Sequence, residues 1–390
     1  MLAENAAGSR CPLIPVGGRT GLRLGGAAAA EARVLLTSEF QQVIDYPADD
    51  MTITVEAGLR VDELNTLLAG HSQRLPIDVA QSHRATIGGA IAANTSGPGR
   101  FGHGTFRDYV IGISAVDGQG RCFSAGGRVV KNVAGYDLCK LLTGSQGTLA
   151  VITQVTLKLR PLVECRTLAI AQGFTPAQAD QILTALNVSA TRPVAIELLN
   201  SKAARQLQRD CRLPGTCDGL VLIVGFEGRP VEVDWQMETL QAELASLGTF
   251  QCDAVPGAEA TRVWRALTEY QAASDDPLTF QMSVRPSGLL PVLEQATSLG
   301  IAVQAHAGNG IILGHLPDRC ATAEAALDTL KLLQPDMQAA SGHLTILNCD
   351  QDWRLKFGDF GESLRPEFLH QQVKQALDPE NIFSRGRWWP

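Results

Sequence analysis

An α+β protein of two domains is what the sequence predicts, and three observations predict it. The 390 residues leave room for two domains. Up to about residue 160 the chain reads as short strands joined by glycine-rich loops. At Arg160-Pro161 the texture changes, and strands then alternate with helices at wider spacing, as in a sheet with covering helices. The expected organisation is residues 1–160, residues 161–350 and a C-terminal segment 351–390.

Taken in order, residues 11–16 (CPLIPV) form a short apolar strand running into Gly17-Gly18-Arg19-Thr20-Gly21. Residues 34–36 are a second strand, and residues 51–57 (MTITVEA) alternate as a half-buried strand should, with Gly58 ending them. Residues 62–69 carry apolar side chains at helical spacing behind Asp62 as cap, and Gly70 closes that helix. Residues 109–116 enter a tight hairpin turn at Asp117-Gly118 and Gly120. A short strand with a basic end at 128–132, a short helix at 137–142 and a long β-rich run at 149–159 follow. In the second domain, strands are expected at 168–171, 194–199, 220–226, 279–284, 301–305 and 344–347. Pro176 behind Thr175 starts a helix to about residue 187, and Pro230 starts a long helix ending before Gly248. Residues 318–333 are a further amphipathic helix. The tail is helical from 365 to 377, then turns at Asp378-Pro379 toward Gly386 and Trp388-Trp389.

Composition narrows the function classes. A hydrophobic share of 45% with 19% charged residues is that of an ordinary soluble globular protein. The net charge of −7 argues against nucleic acid or an anionic membrane as partner, since both require a basic face. No run approaches the roughly 18 apolar residues that span a bilayer, and the opening MLAENAAGSR lacks the apolar core of a signal peptide. Nine cysteines are scattered without any C-x-x-C, so an iron–sulfur cluster would have to belong to a partner. Reduced thiols in the cytoplasm are the plain reading.

Two glycine clusters carry the chemistry. The first, Pro15-Val16-Gly17-Gly18-Arg19-Thr20-Gly21, follows a strand. The second lies in ATIGGAIAANTSGPGRFGHGTFR, residues 85–107, where Thr86-Ile87 precede Gly88-Gly89 and Gly97, Gly99, Gly102 and Gly104 follow. Glycine lets backbone approach a large ligand, and successive exposed amides make a concavity suited to phosphate oxygens. A Rossmann fingerprint fails, because G-x-G-x-x-G is absent and no βαβ unit follows; no Lys-Ser or Lys-Thr closes a Walker loop. Clusters about seventy residues apart suggest a dinucleotide gripped from two sides. A glycine-rich surface loop without ligand is the alternative.

The stretches PVGGRTG, TIGGAIAANTSGP, FRDYVIG, VVKNVAGYDLCKLLTGSQGTLAVIT and the closing DPENIFSRGR resemble the FAD-binding domain of the vanillyl-alcohol-oxidase or p-cresol-methylhydroxylase (PCMH) type. Within it they resemble the FAD-binding second flavoprotein subunit of glycolate oxidase. The resemblance implies a two-subdomain PCMH-type FAD domain, then an α+β cap domain with a helix-covered antiparallel sheet, and a C-terminal segment returning to the FAD domain. It implies that Pro15, Gly17, Gly18, Arg19, Thr20 and Gly21 form the first pyrophosphate loop. Thr86, Ile87, Gly88 and Gly89 form the second, with Asn94, Gly97, Gly104 and Asp108 along the flavin channel. Pro76 and Asp78 fall near the flavin edge, and Gly147, Val151 and Ile152 at the adenine end. Arg19 stands where covalent members carry a histidine, so FAD is expected to be non-covalent. Lys131 and Tyr136 match the same branch, where a surface ion pair and a packed ring are their bland reading. Members carry a helix before the first loop, for which there is hardly room here, so Met1 as natural start stays open.

His306-Ala307-Gly308-Asn309-Gly310 resembles half of the H-x-G-D-G-N-x-H stretch of related 2-hydroxy-acid dehydrogenases, whose histidines help hold a metal and substrate. Asn309, Ile311 and Leu313 depart from it, and His315 falls two positions late, on the opposite face or past the turn, so no metal is expected. His306 is the candidate base and His343, in Ser341-Gly342-His343, a second catalytic candidate or an ordinary core histidine. Arg107 and Arg285 are candidates for the substrate carboxylate, and His103 reads as a loop residue. Three functions stand. One is a flavoprotein subunit working with a catalytic FAD-linked subunit and an iron–sulfur subunit of a glycolate oxidase complex, on glycolate or D-lactate. It would be cytoplasmic, reaching the membrane's inner face only through those partners. The others are a stand-alone FAD-linked 2-hydroxy-acid dehydrogenase and a flavin-free structural subunit.

Overall fold

The structure, a computed structural model, describes residues 11–26, 29, 31–127, 136–272, 276–357 and 367–387. The expected strand at 128–132, Lys131, Trp388 and Trp389 lie outside them. The chain divides into two compact units. One comprises Met1–Ser96, Gly104–Leu162 and Leu364–Pro390, the other Gly97–His103 and Val163–Ser363. Residues 97–103 and the helix Gln351–Phe357 thus group with the second unit, against the sequence expectation.

In the first unit a parallel pair, β1 (Leu13–Val16) and β2 (Arg33–Leu36), flanks the first glycine loop. An antiparallel sheet runs in the order β3 (Val43–Asp45), β4 (Thr52–Glu56), β8 (Ala150–Lys158), β6 (Val110–Asp117), β7 (Cys122–Gly126). The short β5 (Gln73–Arg74) pairs with β9 (Arg160–Pro161). Alternation in β4 sends Ile53 and Val55 inward, where they join Leu64 and Leu68 of the helix Val61–Ala69 and Ile87 and Ile91 of the helix Ile87–Ala93. Each such side chain contributes about 1.5–3 kcal/mol by leaving water. Asp62 does not cap its helix: Arg60 holds the cap position, and the Asp62 carboxylate accepts the Glu63 amide within the first turn. The β6–β7 turn is built by Asp117, whose Oδ1 accepts the amides of Gln119 and Arg121, each at 2.9 Å.

The C-terminal segment closes this unit. After the helix Glu367–Leu377, the Leu13 amide donates to Ile382 and the Ser384 amide to Leu13, while Ile382 and Phe383 pack with Leu13 and Val151. Lys374 is held inside, donating to the carbonyls of Thr148 and Phe383 and to Asp378 Oδ2 at 2.7, 3.0 and 2.6 Å. Arg387 donates to the carbonyls of Gly21, Leu22 and Leu24.

The second unit is an antiparallel sheet in the order β13 (Gln251–Pro256), β10 (Cys165–Gln172), β12 (Val221–Gly228), β11 (Ala195–Leu199), β15 (Ala302–His306), β16 (Ile311–His315), β14 (Leu278–Ser283), β17 (His343–Cys349). One face is apolar along its length, and the helices Pro176–Val188, Pro230–Leu247, Leu289–Ser298 and Ala323–Lys331 cover it. The last of these begins later than expected, because Thr322 caps it by accepting the Ala325 amide. The opposite face carries an apolar cluster over β10, β12 and β11, against the helices Ser201–Cys211 and Gly257–Glu269, with Glu197 of β11 on the same face. Over β15, β16, β14 and β17 that face turns polar, with Gln304, His306, Thr279, Gln281, Ser283 and His343 pointing the same way by strand alternation.

Candidate functional site

The two glycine clusters meet. A Cβ on Gly17 would lie 2.0 Å from Thr86 Oγ1, and one on Gly18 would lie 1.7 Å from the Arg84 carbonyl oxygen, so only hydrogen fits at either position. Arg19 takes a left-handed φ of 62° between them and Thr20, which turns the loop. Among the described residues, the amides of Gly17, Gly18, Arg19, Thr20 and Gly21 donate to no protein acceptor. A run of uncommitted amides through a left-handed residue is the arrangement that binds anions. Gly147 completes this wall: at φ 67° it lies against the Pro15 ring, and its carbonyl accepts the Ser384 hydroxyl at 3.1 Å.

The second cluster differs from expectation. Residues 87–93 form a helix, with Thr86 as cap accepting the Gly89 amide at 3.4 Å. The Ile87 amide donates to Leu59 and the Gly88 amide to Ala57, where a Gly88 Cβ would lie 2.6 Å from the Ala57 side chain. Two of the amides expected to face a phosphate therefore tie the helix to the core. What the helix presents instead is at its other end. Asn94 takes a left-handed φ of 50°, and Asn94 Oδ1, Thr95 Oγ1, Ser96 Oγ and Ser145 Oγ are all buried without a hydrogen-bond partner. The Gly144 and Gln146 amides bind carbonyls of Ile91 and Ala92, which brings the Ser145 loop beside Asn94.

Other expected residues have local duties. Asp108 Oδ2 accepts the Thr105 amide at 2.9 Å and fills the space beside Gly104, so this carboxylate caps a turn. Val151 and Ile152 are buried in the core, as is Pro76; Asp78 is half-buried. Gly97 groups with the second unit. Tyr136 is 93% exposed rather than packed. Arg107 donates to the Lys140 carbonyl, and Arg285 is exposed beyond the end of β14.

In the second unit Glu197, His306, Ile311, Ser283 and His343 stand in one row across β11, β15, β16, β14 and β17. Three strand spacings separate His306 from His343, roughly 14 Å, so the two do not act on one atom together. Glu197 and His306 do meet: Oε1 and Nδ1 are 2.7 Å apart, with side chains 0% and 3% exposed. His315 lies on the same face as His306, not the opposite one, and both its nitrogens are engaged, by Asp276 and by the Tyr270 carbonyl. His103 is no idle loop residue, its Nε2 lying 2.9 Å from the buried Glu227, which also accepts from Arg166. No group of three metal-ligating side chains occurs among the described residues. Sequence reasoning missed Glu197, although an acid inside the apolar run AIELL was its signal, and missed the orphaned Thr95, Ser96 and Ser145.

Residues 2–126 match the family model described as FAD binding domain. The match takes in about a third of the chain and includes both glycine clusters. Glycolate oxidase subunit GlcE of Escherichia coli is 27% identical over 357 residues, 89% of this chain and 84% of that one. D-lactate dehydrogenase of Archaeoglobus fulgidus is 34% identical over 193 residues, 49% of this chain and 43% of the relative. Glycolate oxidase subunit GlcD of Bacillus subtilis is 31% identical over 237 residues, 60% and 50%. The chain thus spans half or less of the latter two. The solved structure of p-cresol methylhydroxylase with substrate bound superposes with a TM-score of 0.74 at 15% identity, covering 99% of this chain and 85% of that one. Alkyldihydroxyacetonephosphate synthase gives 0.67 at 16%, covering 98% and 73%. These likenesses show the fold, which is the PCMH type expected. The matched stretch also has chemistry that would fit an FAD. Uncommitted amides suit a diphosphate, and orphaned hydroxyl and amide oxygens suit the polar edge of a flavin ring. No helix among the described residues is long and apolar enough to cross a membrane.

Proposed function

We propose that this chain is an FAD-linked oxidoreductase subunit that takes part in oxidising a small 2-hydroxy acid, glycolate or D-lactate, to the 2-oxo acid. The observation that carries it is the meeting of the two glycine clusters, with the amides of Gly17 to Gly21 uncommitted beside the tightly fitted Thr86. In this reading those amides hold the diphosphate, and Asn94, Thr95, Ser96 and Ser145 hold the flavin, without a covalent bond since Arg19 offers none. Bound FAD supplies the two-electron acceptor for the Cα–H bond of the acid. The chain's own residues bind and orient the acid and take its hydroxyl proton, His306 being the base. The likeness to GlcE along most of both chains supports a place in a complex with a second FAD-linked subunit. An iron–sulfur subunit would carry the electrons onward, since no cluster-binding cysteine pattern exists here.

The buried Glu197–His306 pair favours a second reading, in which the chain oxidises the acid unaided. Anaerobic mixing separates the two. The purified full chain is expected to be yellow, and to bleach with glycolate or D-lactate once its partner subunits are added. Bleaching without partners selects the second reading, whereas a colourless chain that takes up no FAD refutes both.

A further inference from the structure

Glu197 is fully buried, and both its oxygens have partners. Gln304 Nε2 lies 2.8 Å from Oε2 and His306 Nδ1 lies 2.7 Å from Oε1. A carboxylate at Nδ1 fixes the ring orientation and makes Nδ1 the donor, which leaves Nε2 as the acceptor. No other residue in the described structure bonds to that Nε2.

Beside this pair the short helix Arg100–His103 is pinned at three points. The Gly102 amide donates to the Val194 carbonyl at 3.0 Å, just before β11. The Phe101 ring fills the space at Gly308, where a Cβ would come within 2.3 Å of it, and His103 pairs with Glu227. Arg100 is thereby held near Glu197, its charge felt by that acid, while burial works against the charge. No hydrogen bond joins them, and Arg100 Nε is buried without a partner. Glu197 offsets the charge of the guanidinium but leaves its Nε–H unpaired. A planar guanidinium left so calls for a planar acceptor that can take two N–H groups at once, which is a carboxylate.

We infer that Arg100 and the Glu197-held His306 form a receptor for an α-hydroxy carboxylate. Arg100 binds the carboxylate through paired hydrogen bonds, and His306 Nε2 accepts the proton of the adjacent hydroxyl. The O–H bond breaks as an N–H bond forms at Nε2, and Glu197 stabilises the imidazolium. The Cα–H electron pair would leave to a two-electron acceptor, the chemistry that FAD would supply in the reading above. Arg100 and His306 touch the substrate; Glu197 is a positioning residue. The inference rests on the 2-hydroxy-acid reading above and deepens it.

The test uses the full-length chain and oxalate, a dicarboxylate with no Cα–H to lose. Wild type is expected to bind oxalate measurably by calorimetry, and to shift the His306 signal in spectra of the 15N-histidine-labelled chain. Arg100→Gln should weaken binding on the order of 100-fold. Arg100→Lys should weaken it about 10-fold, although the charge is kept. Glu197→Gln should alter the tautomer signature of His306. Unchanged binding in both Arg100 variants, no oxalate binding by wild type, or an unaltered His306 signature in Glu197→Gln overturns the inference. The wild-type measurements hold even if a variant fails to fold. A flavin-free chain that still binds oxalate through Arg100 removes the redox reading and keeps the receptor. A flavin-loaded chain that D-lactate reduces equally well with Arg100→Gln removes the receptor and keeps the redox reading.

Discussion

Gly18 is the residue on which the cradle depends most sharply. A methyl group there would lie inside the van der Waals radius of the Arg84 carbonyl, backbone that a rotamer change cannot move. Gly18→Ala must therefore push the loop outward, a strain of about 2 kcal/mol by analogy with overpacked cores. If that strain falls on the bound geometry, FAD affinity should drop roughly 30-fold. Gly219→Ala in the other unit, where an added Cβ meets nothing within 4 Å, is the control and should bind as wild type does. Equilibrium titration with FAD checks both, and equal affinity for Gly18→Ala would show that the loop does not touch the cofactor. At this scale the sequence was legible where a residue's chemistry is local. Gly17, Gly18 and Thr86 could be named because few other residues allow such close backbone approach. Glu197, Arg100 and Ser145 could not be joined to a site, because only the pairing of β11 with β15 and the return of the Ser145 loop to the helix Ile87–Ala93 bring their partners near.

The C-terminal tail shows how an element far along the chain holds one near its start. Lys374 inserts an ammonium beside the fully buried Asp378 carboxylate, which also accepts the amides of Ile382 and Phe383. Replacing Lys374 with Met leaves that carboxylate without its cation, so a destabilisation of about 3 kcal/mol is expected by denaturant unfolding. Burial lowers the Lys374 pKa from 10.5, with Asp378 opposing the shift. Between that lowered value and 10.5 the unfolded chain binds more protons than the folded one, so this group's contribution makes stability rise with pH there. The rise should vanish in Lys374→Met, and a rise that persists would assign it to another group. Elements with strong local signals were found from sequence: the helix Pro176–Val188 behind its Thr175 capping box is one. The helix Ile87–Ala93 was not, since glycines at its first turn hide it. β16 escaped notice because its apolar run IILGH is short, and it is a strand by virtue of its neighbours β15 and β14.

For the whole molecule, the change of texture at Arg160-Pro161 is a signal carried by local sequence. It could not assign residues 97–103, whose membership in the second unit depends on contacts to Val194, Gly308 and Glu227 that lie far off in sequence. Each unit bears one half of the proposed chemistry, a nucleotide cradle in the first and a proton acceptor with its buried acid in the second. The cradle is the half on which all else depends. Titrating FAD into the flavin-stripped full-length chain tests it most directly. The account predicts saturation at one FAD per chain, and loss of that saturation when Gly17 and Gly18 both carry side chains. A chain that binds no FAD, or one that binds it equally well with both glycines replaced, would contradict it.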